Sequence, residues 1–247
     1  MREISLLELL KSGAHFGHTT SRWNPKMKPF IFTVRNNIHI LDLEKTKKAL
    51  IKAAKFASDI SSRGGTILFV GTKRQSKDVV KKWAIACNSP YVNVRWLGGS
   101  FTNFKTIQRT IRKMEKLENM KMTGELENNY TKKERLMIER EIEKLKKLFE
   151  GIANMKKLPD AIFVTDVKHD AIAVTEAQKS KVKIIGLVDT NCSPAQIDYP
   201  VPCNDDATKA IEIMCSVIAE AINEGRSAQV VIPSQTIPKT TKQEETK

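Results

Sequence analysis

Three short apolar runs constrain the fold of this chain more than any other feature: Thr66-Ile-Leu-Phe-Val70, Ala161-Ile-Phe-Val-Thr165 and Lys183-Ile-Ile-Gly-Leu-Val188. Each is rich in β-branched residues, and each is followed by a polar or glycine turn and then a helical pattern. Continuous apolar runs of this length suit strands buried on both faces, as in a parallel sheet. Residues 38–41 and 91–94 are two weaker strand candidates. Helical spacing fills the gaps over residues 43–61, 76–87, 169–178 and 207–222, and Ser5-Leu-Leu-Glu8 is a capping box that starts a short helix. Strand alternating with helix predicts an α/β domain with a doubly wound parallel sheet.

The middle of the chain breaks that rhythm. Residues 103–157 hold no strand candidate, only two charged helical stretches around a loop at Thr123-Gly-Glu-Leu-Glu-Asn-Asn. The first carries Phe104, Ile107, Ile111, Met114 and Leu117, and the second Ile138, Ile142, Leu145 and Phe149. Thr131-Lys-Lys-Glu134 caps the second. Two narrow apolar stripes facing each other predict an inserted antiparallel coiled-coil helical hairpin. The expected layout is therefore residues 1–102 and 158–226 as the two parts of the α/β domain, 103–157 as the hairpin, and 227–247 as a flexible tail.

Charge narrows the partner. There are 42 Lys+Arg against 28 Asp+Glu, a net charge of +14, on a chain that is still 40% hydrophobic. A folded body with such a surplus suits a polyanion, because cations placed on phosphates release condensed counterions. An anionic membrane surface fits the same balance. No apolar run is long enough to span a bilayer and no signal peptide is visible at the N-terminus, which leaves a surface contact as the one membrane reading that charge allows. Cys87, Cys192, Cys203 and Cys215 lack metal-type spacing and read as reduced thiols.

The segment His15-Phe-Gly-His-Thr-Thr-Ser-Arg-Trp-Asn-Pro-Lys-Met-Lys-Pro-Phe30 interleaves Arg22, Lys26 and Lys28 with Trp23 and Phe30 in a proline-broken, non-helical stretch. Aromatics stack on bases while cations pair with phosphates, which suits irregular RNA. The plainer reading is a structured loop whose aromatics plug the domain's own core. Phe69-Val-Gly-Thr-Lys-Arg74 lies between a strand and a helix, where amides can hold an anion. It lacks the phosphate-loop and dinucleotide spacings. Lys73, Arg74, Arg95 and Arg109 join Arg22, Trp23, Lys26 and Lys28 as candidate RNA contacts. Hairpin cations such as Arg112, Lys113 and Lys116 read equally as a solvated helical face.

Asp189 ends a strand and Asn204-Asp205-Asp206 opens a helix. With His18, Asp189 and Asp205 form a candidate Mg²⁺ or Zn²⁺ ligand set if the fold brings them together. The alternative is a strand end and a helix cap. No nucleophile–base pair, G-x-S-x-G elbow or H-E-x-x-H motif is present, so no catalytic residue is assigned.

Taken in order, His15-Phe-Gly-His18, Arg22-Trp-Asn-Pro-Lys-Met27, Phe69-Val-Gly-Thr-Lys-Arg74, Arg95-Trp-Leu-Gly-Gly-Ser-Phe-Thr-Asn-Phe104, Leu158-Pro-Asp-Ala-Ile-Phe-Val164, Val188-Asp-Thr-Asn-Cys192 and Tyr199-Pro-Val-Pro-Cys-Asn-Asp-Asp206 resemble the bacterial ribosomal protein S-two family. The likeness runs over about residues 4–225. Lys183, Ser193 and Cys203 depart from the family's usual residues, the last two in loops next to Asp189 and Asp205. The resemblance implies a flavodoxin-like sheet carrying the hairpin, and no enzymatic activity, small-molecule substrate or membrane partner. It also implies binding to small-subunit ribosomal RNA between head and body, help in docking the mRNA-binding ribosomal protein S-one, and a cytoplasmic or organelle-encoded setting. The residues alone leave two rivals open. One is a nucleotide-using enzyme built on Gly71-Thr-Lys73 and Asp189, and the other a protein-interaction module that uses the hairpin as its arm.

Overall fold

The computed structural model describes residues 4–230. Helix α1 (Leu6–Lys11) starts at Ser5, whose hydroxyl accepts the Glu8 N–H at 3.1 Å. Strands β1 (Phe16–Thr19), β2 (Ile31–Arg35) and β3 (Ile38–Leu41) make a small antiparallel sheet in the order β1-β3-β2. Helix α2 (Leu43–Ser62) leads to β4 (Ile67–Val70), α3 (Lys77–Ala86) and β5 (Tyr91–Val92). Next come α4 (Phe104–Met122), α5 (Glu125–Asn129) and α6 (Lys132–Phe149). The chain closes with β6 (Ala161–Val164), α7 (Ala171–Lys179), β7 (Lys183–Val188), β8 (Tyr199–Pro202) and α8 (Thr208–Val230).

The five later strands form one parallel sheet in the order β5-β4-β6-β7-β8. Among themselves that order is 2-1-3-4-5, the flavodoxin-like doubly wound arrangement, with its topological switch point between β4 and β6. Strand alternation explains why their sequences are apolar throughout. Ile67 and Phe69 of β4, Ala161 and Phe163 of β6, and Ile185 and Leu187 of β7 face one core. Leu68, Val70, Ile162, Val164, Ile184 and Val188 face the other. Helices α2, α3 and α8 cover the first face through Leu50, Val80 and Ile218. Helix α7 and the root of the hairpin cover the second through Val174, Ile107 and Phe149. Each large buried side chain contributes roughly 1.5–3 kcal/mol. Phe69 and Phe163 add an edge-to-face contact at 5.4 Å between ring centroids.

The hairpin stands between β5 and β6. Helix α6 packs back along α4, with Ile107, Ile111 and Met114 buried on one side and Ile142 and Phe149 on the other. Thr131 and Glu134 close a capping box at the start of α6. The turn expected as a loop contains the short helix α5, whose Leu126 is buried.

Three further features depart from the sequence expectation. The stretch 15–30 is not free of regular structure: it contains β1 and two 3₁₀ turns, Thr20–Arg22 and Pro25–Phe30. Its Met27 is fully buried, so part of this block is core. Strand β8 carries Pro200 and Pro202, tolerated because it is the edge of the sheet. Helix α8 continues to Val230, so residues 227–230 are its last turn; the remainder of the expected tail lies outside the described residues.

Candidate nucleic-acid interface and carboxylate cluster

The carboxyl ends of the parallel strands carry a dense polar cluster. The loop after β4 supplies Lys73, the loop after β6 Asp166, the end of β7 Asp189, and the loop after β8 Asp205 and Asp206. Lys73 Nζ sits 2.9 Å from Asp166, 2.8 Å from Asp205 and 2.8 Å from Asp206. Burial alone would lower the Lys73 ammonium, but hydrogen bonds to Asp205, Asp206 and Asp166 outweigh it and hold its pKa well above the ordinary value. Asp205 is pushed up to about 6, first by burial and then by Asp166 and Asp189, against the pull of Lys73.

His18 enters from β1. Its Nδ1 lies 3.0 Å from the buried Asp189 carboxylate and its Nε2 3.6 Å from Asp206. The hydrogen bond it donates to Asp189 raises its pKa, against a smaller opposing effect of burial. β1 reaches this place because Gly17 has no side chain. A Cβ there would come within 2.5 Å of the Thr190 methyl group. The Thr190 hydroxyl accepts the His18 N–H at 2.8 Å and the Thr190 carbonyl the Asn24 N–H at 2.7 Å. Donor atoms of His18, Asp189 and Asp205 all lie within 4.8 Å of one another, one imidazole nitrogen and two carboxylates. The structure therefore brings the three candidate metal ligands together. Cys192 and Cys203 adjoin the cluster, but burial pushes both thiols up, Cys192 to about 12, so they remain protonated.

The turn after β4 is occupied by the protein itself. Asp170 accepts the Thr72 N–H at 3.2 Å and the Thr72 hydroxyl at 2.6 Å. Burial pushes the Asp170 carboxyl up, against these two bonds. The Ser76 and Lys77 N–H groups both go to the Lys73 carbonyl. Gly71 is needed because a Cβ would come within 2.5 Å of Thr165 Oγ1. A nucleotide phosphate would find these amides already committed.

The expected RNA contacts separate into two groups. Arg22, Lys26, Lys28, Arg74, Arg95 and Arg109 are exposed, and none has a carboxylate within ion-pair distance among the described residues. Lys73 belongs to the other group, since its ammonium is taken by three carboxylates instead of facing solvent. Trp23 is half-buried with one face towards His39, centroids 5.1 Å apart. On the hairpin, Lys113, Lys121 and Lys146 pair with Glu141, Glu139 and Glu118 at 2.5, 2.8 and 2.6 Å.

A sequence model described as ribosomal protein S2 matches residues 9–225. The chain belongs to the ribosomal protein S2 family. It is 50% identical to the small ribosomal subunit protein uS2 of Nitratiruptor sp. over 223 residues, 90% of this chain and 83% of that one. It is 48% identical to that of Wolinella succinogenes over 224 residues, 91% and 82% of the two chains. For Helicobacter hepaticus the figures are 49% over 224 residues, 91% and 84%. Membership of the S2 family makes this a structural ribosomal protein and not an enzyme, which removes the nucleotide-using rival. Among the described residues, no helix is long and apolar enough to cross a membrane.

Several residues that organise this S2-family surface were not singled out from sequence. Glu176 on α7 is buried and accepts the N–H groups of Gly99 at 2.6 Å, Phe101 at 2.9 Å and Thr102 at 3.4 Å. It thereby holds the Arg95-Trp-Leu-Gly-Gly-Ser-Phe segment at the root of the hairpin, with Trp96 edge-on to Phe101 at 5.0 Å. Asp166 binds Lys73 through Oδ2, while Oδ1 accepts the Lys168 and His169 N–H groups at 2.9 and 2.7 Å. The only sequence signal for Asp166 was its place just past a strand, the same signal that marked Asp189.

Proposed function

We propose that this protein is a structural constituent of the small ribosomal subunit that binds ribosomal RNA between head and body. Arg22, Lys26, Lys28, Arg74, Arg95 and Arg109 would pair with phosphates and Trp23 would stack. The observation that carries this reading is the sorting of the cations. Half-buried Lys73 is neutralised internally, while the six exposed cations on loops and the hairpin root have no acidic partner among the described residues. Exposed cations on a rigid frame position a protein on RNA, and shape selects the site. Co-sedimentation of the chain with small subunits, released as salt rises, tests it. Absence from the small-subunit fraction at low salt would sink the reading.

Docking of ribosomal protein S-one belongs to the same proposal. Its support is an apolar surface unlike an RNA contact: Phe32 is 75% exposed, Val34 49% and Phe16 48%, all on the small sheet. Charged substitution of Phe32 should lower S-one recovery on subunits without changing the chain's own recovery. A bound cation at His18, Asp189 and Asp205 is the third part. The mixed nitrogen and carboxylate donors suit Zn²⁺ better than Mg²⁺. Zn²⁺ should raise the thermal midpoint of the wild-type chain and not of Asp189→Asn.

A further inference from the structure

The loops after β4 and β6 flank the switch point of the sheet, the place where doubly wound folds usually receive a ligand. Here Thr72, His169 and Asp170 form a fixed chain of hydrogen bonds. The Thr72 hydroxyl donates to Asp170 Oδ1 at 2.6 Å, which uses its single hydrogen. The same oxygen lies 3.0 Å from His169 Nδ1, so it must accept there. Asp170 Oδ1 is 3.6 Å from that nitrogen and favours a proton on it as well. Both neighbours call for a proton on Nδ1. In the tautomer with its one proton on Nδ1, Nε2 is a lone-pair acceptor; the side chain is 49% exposed, and Nε2 has no hydrogen-bond partner among the described residues. The backbone beneath is rigid, because the Asp166 carboxylate holds the Lys168 and His169 amides and Lys73 at once.

Arg74 and Lys168 are exposed on the same two loops, without an acidic partner among the described residues. The surface thus offers two cations, which only donate, and an imidazole whose Nδ1 is engaged inside the fold and whose Nε2 faces outward. The RNA backbone has the complementary pattern. Its phosphates only accept, and the ribose 2′-hydroxyl is its one group with a hydrogen to give. We propose that His169 is a ribose-recognition residue, its Nε2 accepting a 2′-hydroxyl of ribosomal RNA while Arg74 and Lys168 take adjacent phosphates. This rests on the RNA-binding reading above and gives it a residue that distinguishes RNA from DNA.

The test is interference mapping on small-subunit ribosomal RNA transcribed with scattered 2′-deoxy phosphorothioate nucleotides, bound by the full-length chain. The wild type should show a 2′-deoxy interference position that His169→Ala and His169→Asn both lose, with affinity falling about threefold to tenfold, as for one lost hydrogen bond. His169→Asn keeps an amide N–H for Thr72, so it removes Nε2 while preserving the internal chain. The Lys168→Ala variant should instead lower the salt slope by about one and keep the interference position. An interference pattern unchanged in His169→Asn would overturn the proposal. So would a salt slope lowered by about one in that variant with the pattern intact, since that places an imidazolium on a phosphate. A wild-type chain that binds the RNA with no 2′-deoxy interference overturns only this inference. A wild-type chain that does not bind the RNA overturns the RNA-binding reading with it.

Discussion

The two ends of this molecule handle charge in opposite ways. At the carboxyl edge of the sheet, one lysine is held by three carboxylates contributed by two separate loops, with Asp205 itself only 1% exposed. On the hairpin, the ion pairs join neighbouring helices in the open, and Lys113 and Glu141 remain 59% and 43% exposed. Buried charges fix geometry because breaking one pair strands the others in a poor solvent. Exposed pairs are screened and interchangeable. The edge of the sheet is therefore a rigid mount for its loops, while the hairpin's shape rests on its apolar stripe.

The largest blow to this contrast is Lys73→Met. Removing the shared cation leaves Asp166, Asp205 and Asp206 facing one another, and the loss of stability should be about 3–5 kcal/mol. Urea denaturation would measure it; a loss below about 1 kcal/mol would mean the cluster relaxes into water. Glu176→Gln comes next, at about 1–3 kcal/mol, because three amides lose a charged acceptor. Hydrogen exchange should quicken at Gly99, Phe101 and Thr102, and protection left unchanged there would exclude Glu176 as the tether.

A pH series sharpens the comparison further. His18 has a raised pKa when folded, so its stabilising contribution is fully present below the ordinary imidazole value of 6.5 and is lost as pH rises through the folded value. Asp205 is also raised, from 3.8 to about 6, so the folded state binds that proton more tightly than the unfolded chain and stability falls as pH climbs across that interval. The denaturation midpoint of His18→Gln should thus differ most from wild type below pH 6.5 and converge with it on the alkaline side. A gap that widens with pH would contradict this. The smallest effect belongs to the hairpin: Lys113→Ala should cost at most about 0.5–1 kcal/mol, and less at high salt.

How much of this was legible follows from the range of each interaction. Strands β4, β6 and β7 announce themselves because both faces are buried and the runs are unbroken. β8 was hidden by Pro200 and Pro202, which are acceptable only on an edge that sequence does not reveal. β1 lies in a block whose prolines and cations point to irregular chain, β2 follows that block directly, and only pairing with β3 makes them strands. The turn of the hairpin, read as a loop, hides α5 because Glu125–Asn129 lacks a helical stripe of its own. His18, Asp189 and Asp205 were recoverable as a set, since each type suits a ligand and the two aspartates sit at the ends of expected elements. Lys73 was read as a phosphate contact because its partners Asp166 and Asp205 lie 93 and 132 residues away. The same distance hid Glu176, which meets Gly99 across 77 residues.

The bond between His18 and Thr190 spans 172 residues. During synthesis at roughly 5–20 residues per second, the basic N-terminal block leaves the translating ribosome long before the strand end that receives it exists. For something on the order of ten seconds or more that block lacks the Thr190 contacts that fix it against the sheet. Its native shape is completed only after β7 has been made. A chain stalled before residue 190 would have its cations but not the surface on which they are arranged, so truncated copies should compete poorly for assembly into new subunits.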